Sequence, residues 1–341
     1  MRVALGLIPM LALAAGAAAQ TDLGSPSLLI AQDAQPAPAP AASPAGSSVS
    51  PTATFLLGNE RIHSDPVIGW DGFINGLRGF EHLYNPIGNP LYFETPLNNT
   101  GVRFLFIHHS FAEDSVLGGG DVTVYAMQAR IALTERLAFI ATKDGWSTLD
   151  ADNLPEDSGW NDIALGGKYA WYVDREADLV SSIGFRWMLN NGDSGILQGD
   201  VNEFSPFLSA AKGFGRFHTM ANITGRIPTD DDDGNSILQW DVHFDYEIWP
   251  EVLKGFAPIF EVHGLHYLSD GERTPLDVGG ADYANLGSTD VDGSTVVWGS
   301  FGARWKLSPH MSIGGAYEQS FTNVNADIFD NRVTIDLELT W

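Results

Sequence analysis

From residue 101 to the C-terminus, the chain repeats short segments in which apolar and polar side chains alternate. The last segment shows the pattern most clearly, because every second residue is apolar: Val333, Ile335, Leu337, Leu339 and Trp341. A two-residue period is typical of a β-strand whose two faces meet different environments. The pattern therefore predicts an all-β fold over residues 101–341.

The repeated segments predict twelve strands, at 101–110, 120–133, 136–146, 160–173, 179–190, 203–213, 216–228, 237–249, 256–268, 294–307, 310–321 and 331–341. Short turns follow the even-numbered strands and longer loops follow the odd-numbered ones, the longest at 269–293. This alternation is typical of a transmembrane antiparallel up-and-down β-barrel, with tight periplasmic turns and large outer loops. Closure into a barrel also leaves no unpaired strand edge in lipid.

Most of the tryptophans lie near the ends of the predicted strands. Three belong to the outer ends and four to the periplasmic ends: Trp160, Trp187 and Trp240, then Trp171, Trp249, Trp305 and Trp341. Tryptophan concentrates at both interfaces of a membrane, so this placement predicts two aromatic girdles around the barrel.

The first hundred residues differ from the rest of the chain. Residues 1–19 have the features of a secretory signal peptide: a positive start at Arg2, an apolar stretch and a small-residue cleavage site at Ala17-Ala18-Ala19. Residues 20–52 are rich in Pro, Ala and Ser and hold too little apolar surface to form a core, which predicts an extended periplasmic linker.

Residues 53–100 leave several structures open. Phe73, Leu77, Phe80 and Tyr84 recur at helical spacing after Asp71, a possible N-cap, which allows a short amphipathic helix. Three glycines within the same stretch oppose a helix. The segment could plug the barrel, lie on the inner leaflet or dock beneath the barrel as a strap. The small number of long apolar residues on the predicted lumen face argues against an apolar plug.

The charge balance excludes several partners. The chain of 341 residues has 18 Lys and Arg against 43 Asp and Glu, a formal charge of −25. Nucleic acid and anionic membrane surfaces both require clustered basic groups. The absence of cysteine excludes disulfides, thiolate metal sites and cysteine nucleophiles.

The acidic residues concentrate in the predicted outer loops. These loops hold 21 of the 43 acidic residues and a single basic one, Arg273. Such a crown would attract divalent cations. Asp230 and Asp232, in a tight glycine-containing turn, form a candidate site for a loosely bound cation such as calcium, with a solvated loop as the alternative. We predict no other cofactor.

The polar faces of the strands predict the residues of the lumen. They are Arg103, Arg130, Lys168, Arg186, Arg226, Asp241, His243, Asp245, Glu261, His263, Arg304, Glu318, Asp336 and Glu338. Basic residues gather on the early strands and acidic residues on the late ones, which would create a transverse field in a water-filled pore. Alternatively, the charges pair across a narrow barrel as a packed polar interior.

Short motifs add a resemblance to known membrane proteins. The final strand resembles the assembly signal of bacterial outer-membrane proteins, which implies the barrel-assembly machinery as a partner. Gly159-Trp160-Asn161-Asp162 before Gly167-Lys168-Tyr169, and Phe204-Ser205-Pro206-Phe207 before Gly225-Arg226-Ile227-Pro228-Thr229, resemble a family named for meta-pathway phenol degradation. That family is similar to channels for long-chain fatty acids and aromatic hydrocarbons, and the resemblance implies a Gram-negative outer-membrane location.

Two functions follow as hypotheses. The first is an outer-membrane channel, or porin, for passive uptake of small solutes, aromatic or apolar ones among them. The second is a closed structural or adhesive barrel that displays acidic, cation-binding loops. We expect no enzyme, because His108 and Ser110 share the strand face of Phe104, which should meet lipid, and lack an orienting partner.

Overall fold

The structure is a computed structural model that describes residues 74–322 and 328–341. The predicted signal peptide and linker lie outside these residues. Fourteen strand segments are present: β1 (Gly101–Phe111), β2 (Gly120–Ala132), β3 (Leu137–Lys143), β4 (Trp146–Ala151), β5 (Asp157–Trp160), β6 (Ile163–Asp174), β7 (Leu179–Leu189), β8 (Glu203–Phe214), β9 (Phe217–Pro228), β10 (Ile237–Tyr246), β11 (Phe256–Tyr267), β12 (Thr295–Ser308), β13 (Met311–Ser320) and β14 (Phe329–Thr340). A 3-10 turn spans Ser194–Ile196.

The segments form a closed antiparallel barrel of twelve strands. Each barrel strand pairs with its neighbours along the chain, and β1 pairs with both β2 and β14, which closes the sheet. The third barrel strand consists of β3 and β4 end to end, and the fourth consists of β5 and β6. The predicted all-β barrel fold is therefore confirmed. The prediction of an outer loop at 144–159 is wrong in part, because β4 and β5 lie in this range and extend the wall.

The two ends of the barrel differ in their connections. Turns such as Gly215-Arg216 join strands at one end, which also holds the start of β1 and the end of β14; we call it the short-turn end. Loops of up to 27 residues, at 268–294, join strands at the opposite end, which we call the long-loop end.

The outer surface of the wall is apolar. In β14, Ile335 and Leu337 are exposed, whereas the alternate residues Thr334 and Asp336 are buried. In a water-soluble protein the apolar side chains would be buried and the polar ones exposed. The reverse arrangement here is the one required by a barrel surrounded by lipid. Six of the seven tryptophans of the predicted girdles are exposed, and Trp240 is half-buried. Within the described residues, no helix has the length and apolar character to cross a membrane.

The wall contains a gap between β2 and the β3–β4 strand. Residues 126–128 of β2 lie opposite residues 142–145 and are not paired with them. Gly145 ends the gap with a φ of 109°, in the left-handed region, and a Cβ there would lie 2.3 Å from the carbonyl oxygen of Tyr125. The gap therefore requires glycine at position 145.

We predict that Gly145→Ala lowers the stability of the folded barrel. The unfavourable φ alone costs about 1–3 kcal/mol, and the collision with Tyr125 adds to it. The control is Gly215→Ala, where φ is 72° but nothing lies within 4 Å of the added Cβ. The folded fraction is measured as the band that changes mobility on heating in a denaturing gel. Equal losses in the two variants would contradict the collision.

Candidate functional site

Residues 74–100 fill the lumen of the barrel, and we call them the plug. Their apolar side chains are buried, and Phe80, Phe93 and Leu97 pack against inward-facing residues that include Val180 and Met220. Residues 74–84 form turns and bends, so the amphipathic helix allowed by the sequence is not present there. The expectation that an apolar plug is disfavoured is also wrong, because apolar side chains of the plug pack against one another and against the wall.

Basic side chains of the wall donate hydrogen bonds to main-chain carbonyls of the plug. Arg103 and Arg304 both donate to the carbonyl of Pro86, at 3.0 and 3.3 Å. Lys168 Nζ donates to the carbonyl of Leu97 at 2.6 Å. Further donors to plug carbonyls are Gln128, Arg175, Ser182, Arg186 and Lys306. These bonds replace the ladder that an irregular segment lacks.

Carboxylates of the wall accept hydrogen bonds from the plug N–H groups. Glu261 accepts from the amides of Ile87 at 3.0 Å and Gly88 at 2.6 Å. Glu318 accepts from the amide of Asn89 at 3.1 Å. Basic side chains of the wall thus bind the carbonyl groups of the plug backbone, and acidic side chains bind its N–H groups.

Glu94 anchors the plug to three cations of the wall. Its two carboxylate oxygens each accept a bond of 2.9 Å from Arg130, and Lys168 Nζ and Arg186 Nη2 lie at 2.8 and 3.3 Å. Burial by itself raises the pKa of Glu94, but the charges of Arg130 and Lys168 outweigh it and hold the pKa well below its usual range.

Histidines and carboxylates alternate along the inner faces of β9, β10 and β11. The order is His218, Asp245, His243, Glu261, His263 and Asp241, with successive contacts of 2.6, 3.0, 2.7, 3.8 and 2.8 Å. Asp241 also accepts a bond of 2.6 Å from the Asn89 side chain. Each buried carboxylate of this chain therefore has a partner, and its end contacts the plug.

Part of the loop between β11 and β12 covers the long-loop end. Residues 278–288 are all buried, and we call them the lid. The Tyr283 hydroxyl donates to the carbonyl of Ile196 at 2.8 Å, and Val278 and Leu286 pack in a cluster with inward-facing apolar residues such as Val124. The lumen is thus covered from one end and filled from the other.

Arg332 joins the lid to the plug. Its guanidinium donates to both oxygens of Asp282 in the lid, at 2.8 and 2.7 Å, and to both oxygens of Glu318, at 2.7 and 2.8 Å. Glu318 in turn holds the plug amide of Asn89. Asp282 is therefore buried and paired, and its predicted place in an exposed acidic crown is wrong.

A second charged pair makes the same connection. Arg226 Nε lies 3.1 Å from both oxygens of Glu203, and Arg226 Nη1 donates to the lid carbonyl of Ala281 at 3.3 Å. From the plug, the Tyr92 hydroxyl donates to Glu203 at 3.1 Å, and its ring centroid lies 4.2 Å from the Arg226 guanidinium carbon. Lid and plug are thus joined through two buried arginines, Arg332 and Arg226, and their carboxylate partners.

All fourteen residues predicted for the lumen are buried: Arg103, Arg130, Lys168, Arg186, Arg226, Asp241, His243, Asp245, Glu261, His263, Arg304, Glu318, Asp336 and Glu338. They face one another and the plug. Asp230 and Asp232 are exposed, and within the described ranges no group of three or more His, Asp or Glu side chains could hold a metal ion. The cation site at these two residues stays a prediction.

Side chains bridge the gap in the wall. Asp144 Oδ1 accepts from the amide of Met127 at 2.9 Å, and Gln128 Nε2 donates to the carbonyl of Thr142 at 2.6 Å. On the opposite edge of the same strand, the main-chain amide of Asn161 donates to the carbonyl of Gly145 at 2.9 Å. The bonds of Asp144 and Gln128 thus stand where a continuous ladder would otherwise join β2 to the β3–β4 strand.

A cavity of about 760 Å³ opens at the gap, and we call it the wall cavity. Its lining is Phe104, Leu105, Tyr125, Ala126, Met127, Asp144, Gly145, Trp160, Asn161, Ile163 and Asn191. Phe104 and Tyr125 are exposed on the outer surface, whereas Leu105 is buried on the inner face of β1. The cavity therefore extends from the lipid-facing surface into the wall.

Several residues of the site were not among the predicted ones. Glu94, Tyr92 and Asp282 lie in segments without a two-residue period, so no pattern placed them in the lumen. Glu203 and Arg332 lie within the predicted strands 203–213 and 331–341 and alternate with the inner face of β8 and β14, so the same two-residue period places them in the lumen.

We predict that Arg332→Met loosens the lid and the plug together. The change leaves Asp282 and Glu318 as unpaired buried carboxylates, which costs about 3–5 kcal/mol. The loss is measured by urea unfolding in lipid vesicles, with hydrogen exchange of residues 278–288 and Asn89. Arg216→Met is the control, because Arg216 is exposed in the turn between β8 and β9, and it should change the stability by at most about 0.5 kcal/mol. Faster exchange in the lid alone would contradict the shared connection.

We also predict that the plug leaves its seat only in strong acid. Because the pKa of Glu94 is lowered in the folded protein, its ion pairs stabilise the plug fully at pH values above the ordinary pKa of a carboxyl group. This contribution is lost only as pH falls below about 4. Ion conductance in planar bilayers should rise below that pH, and Glu94→Gln should conduct at neutral pH already. A native conductance that rises between about pH 7 and 5 with the same profile in Glu94→Gln would contradict this.

Comparisons with known proteins agree with the barrel fold. No family model and no curated protein matches the chain. Among solved structures it is similar to the COG4313 outer membrane channel from Pseudomonas putida F1, with 12% identity and a TM-score of 0.54 over 76% of this chain and 100% of that one. It is also similar to the NanC porin, with 10% identity and a TM-score of 0.45 over 71% and 100% of the two chains. The first likeness shows that the chain has the fold of an outer-membrane channel barrel.

Proposed function

We propose that the protein is an outer-membrane channel for the passive uptake of small apolar solutes, aromatic ones among them, and that solutes cross its wall at the gap. The wall cavity carries this proposal. Its lining is mostly apolar and aromatic, and about 760 Å³ is within the range of pockets that hold small molecules. It opens on the surface that meets lipid, where apolar solutes concentrate.

The filled lumen supports passage through the wall rather than along the barrel axis. The plug occupies the interior, the lid covers the long-loop end, and both are held by buried ion pairs. Breaking such pairs costs several kcal/mol each. The gap, in contrast, is crossed by single hydrogen bonds, from the Met127 amide to Asp144 and from Gln128 to the carbonyl of Thr142, so it is a weak part of the wall.

The location follows from the same proposal. The exposed apolar wall requires a membrane, and the predicted signal peptide directs export, which together favour the outer membrane of a Gram-negative cell. In this proposal the barrel-assembly machinery binds the final strand, residues 331–341. The resemblance to the meta-pathway phenol degradation family stays a hypothesis, since no family model matches the chain.

The second candidate function is a closed structural barrel that displays acidic loops. The observation in its favour is that lid and plug share ion pairs through Arg332 and Arg226, which makes the interior rigid. In this case the wall cavity would hold lipid chains only, and no solute would pass.

We predict that bridging the gap stops solute uptake. Two disulfides can span it, at Ala129→Cys with Ala141→Cys and at Thr123→Cys with Thr148→Cys, since both pairs are cross-strand neighbours within disulfide range. The native chain has no cysteine, so no other thiol competes. Oxidised vesicles should take up toluene or naphthalene several-fold more slowly than reduced ones.

A bridge elsewhere on the wall controls for rigidity. Ala210→Cys with Ala221→Cys joins β8 to β9 in the same way, far from the gap along the strand order, and should leave uptake unchanged. Uptake that is equal in empty vesicles and in vesicles with native protein would favour the closed structural barrel. Uptake that persists in the oxidised double bridge would move the passage away from the gap.

A further inference from the structure

We infer that the wall cavity binds cationic amphiphiles, that is, apolar molecules that carry a protonated amine, with the Asp144 carboxylate as their counter-charge. The inference rests on the proposed function, because it names the solute class of the same cavity. Three observations carry it: the isolation of this carboxylate, its position among aromatic side chains, and a charge that its structural role does not require.

Asp144 is the one acidic or basic side chain among the eleven residues that line the wall cavity. Two more are polar but neutral, Asn161 and Asn191, and the others are apolar, aromatic or glycine. Any charge recognition by this cavity in the described part of the chain must therefore come from Asp144.

The carboxylate has no cation of its own. No Lys, Arg or His nitrogen lies within ion-pair distance of Asp144 among the described residues. The adjacent Lys143 is buried on the other side of the wall, where its Nζ lies 3.2 Å from the Met188 sulfur and 3.7 Å from Asp162. The negative charge thus faces the cavity without compensation.

The structural role of Asp144 does not require that charge. Its side chain accepts one hydrogen bond, from the amide of Met127 through Oδ1. An asparagine side-chain oxygen could accept the same bond. A carboxylate at a lipid-facing wall is costly, and ionisable groups in such places point to a function.

The surroundings favour a cation over an anion. Tyr125 and Trp160 stand exposed at the cavity, and Phe104 lines the same opening. Attraction between unit charges strengthens as the local dielectric constant falls, so an ammonium is attracted and a carboxylate ligand is repelled. The faces of Trp and Tyr add a cation–π contribution for an ammonium.

Octylamine, octanol and octanoate test this inference, because they share one apolar chain and differ in charge at neutral pH. Binding to the full chain in zwitterionic lipid nanodiscs is followed by tryptophan fluorescence, with empty nanodiscs subtracted. We expect octylamine to bind at least about tenfold more tightly than octanoate, which corresponds to about 1.4 kcal/mol. Raising the salt concentration should reduce the preference only slightly, because the site is partly shielded from solvent.

Asp144→Asn isolates the charge and keeps the bond to Met127. It should weaken octylamine binding about tenfold and leave octanol binding unchanged. Asp150→Asn is the matched control, because Asp150 is exposed on β4 and outside the cavity lining, and it should change neither. Folding of both variants is checked by heat-dependent mobility.

Equal binding of the three probes to the native protein would overturn the inference without any variant, and so would an amine preference that survives in Asp144→Asn. These outcomes are separate from the failure of the proposed function. If octylamine binds preferentially while the oxidised double bridge still admits solute, the binding site stands and the route through the gap fails. If the bridges block uptake and no charge preference exists, the channel stands and the solute class is wrong.

Discussion

An irregular peptide inside a closed barrel must find a partner for every N–H and C=O group where water is excluded. The rest of this structure depends on that constraint. Arg103, Arg304 and Lys168 serve the carbonyls of the plug, and Glu261 and Glu318 serve its amides. The charged side chains of the wall therefore lie where the backbone groups of residues 74–100 need hydrogen-bond partners. Arg130, Lys168 and Arg186 have their carboxylate partner, Glu94, only while the plug is seated, whereas Arg103 and Arg304 also pair with Asp336 of the wall.

The barrel itself could be predicted because lipid imposes a simple rule on sequence. Outward positions must be apolar and inward ones can be polar, so the two-residue period survives along every strand. The prediction for 203–213 matches β8, Glu203–Phe214, almost to the residue. It failed near Gly145, where one strand was predicted to end and a loop to begin. There β4 resumes after the gap, and a period interrupted by a bulge resembles a loop.

The site could be predicted only where it lies on strands. The positions of Asp241 and Arg226 follow from alternation, but their partners do not. Glu94 meets Arg130 across 36 positions of the chain, and Asp282 meets Arg332 across 50. Contacts of this kind depend on how an aperiodic segment folds back, and no local pattern encodes that. The wall cavity was missed for a related reason, because it arises from pairing that is absent rather than from residues that are present.

The position of the plug along the chain has a consequence for the order of folding. Residues 74–100 precede every strand of the barrel along the chain, yet Asn85 of the plug binds Glu338 on the final strand. Arg103 and Arg304, which bind the plug carbonyl of Pro86, pair with Asp336 on that strand. The seat is incomplete until β14 pairs with β1. An early segment of the chain thus completes its contacts only after the last strand is in place. Such long-range docking is slow, because the entropy of closing a large loop is lost before the contacts form that stabilise it.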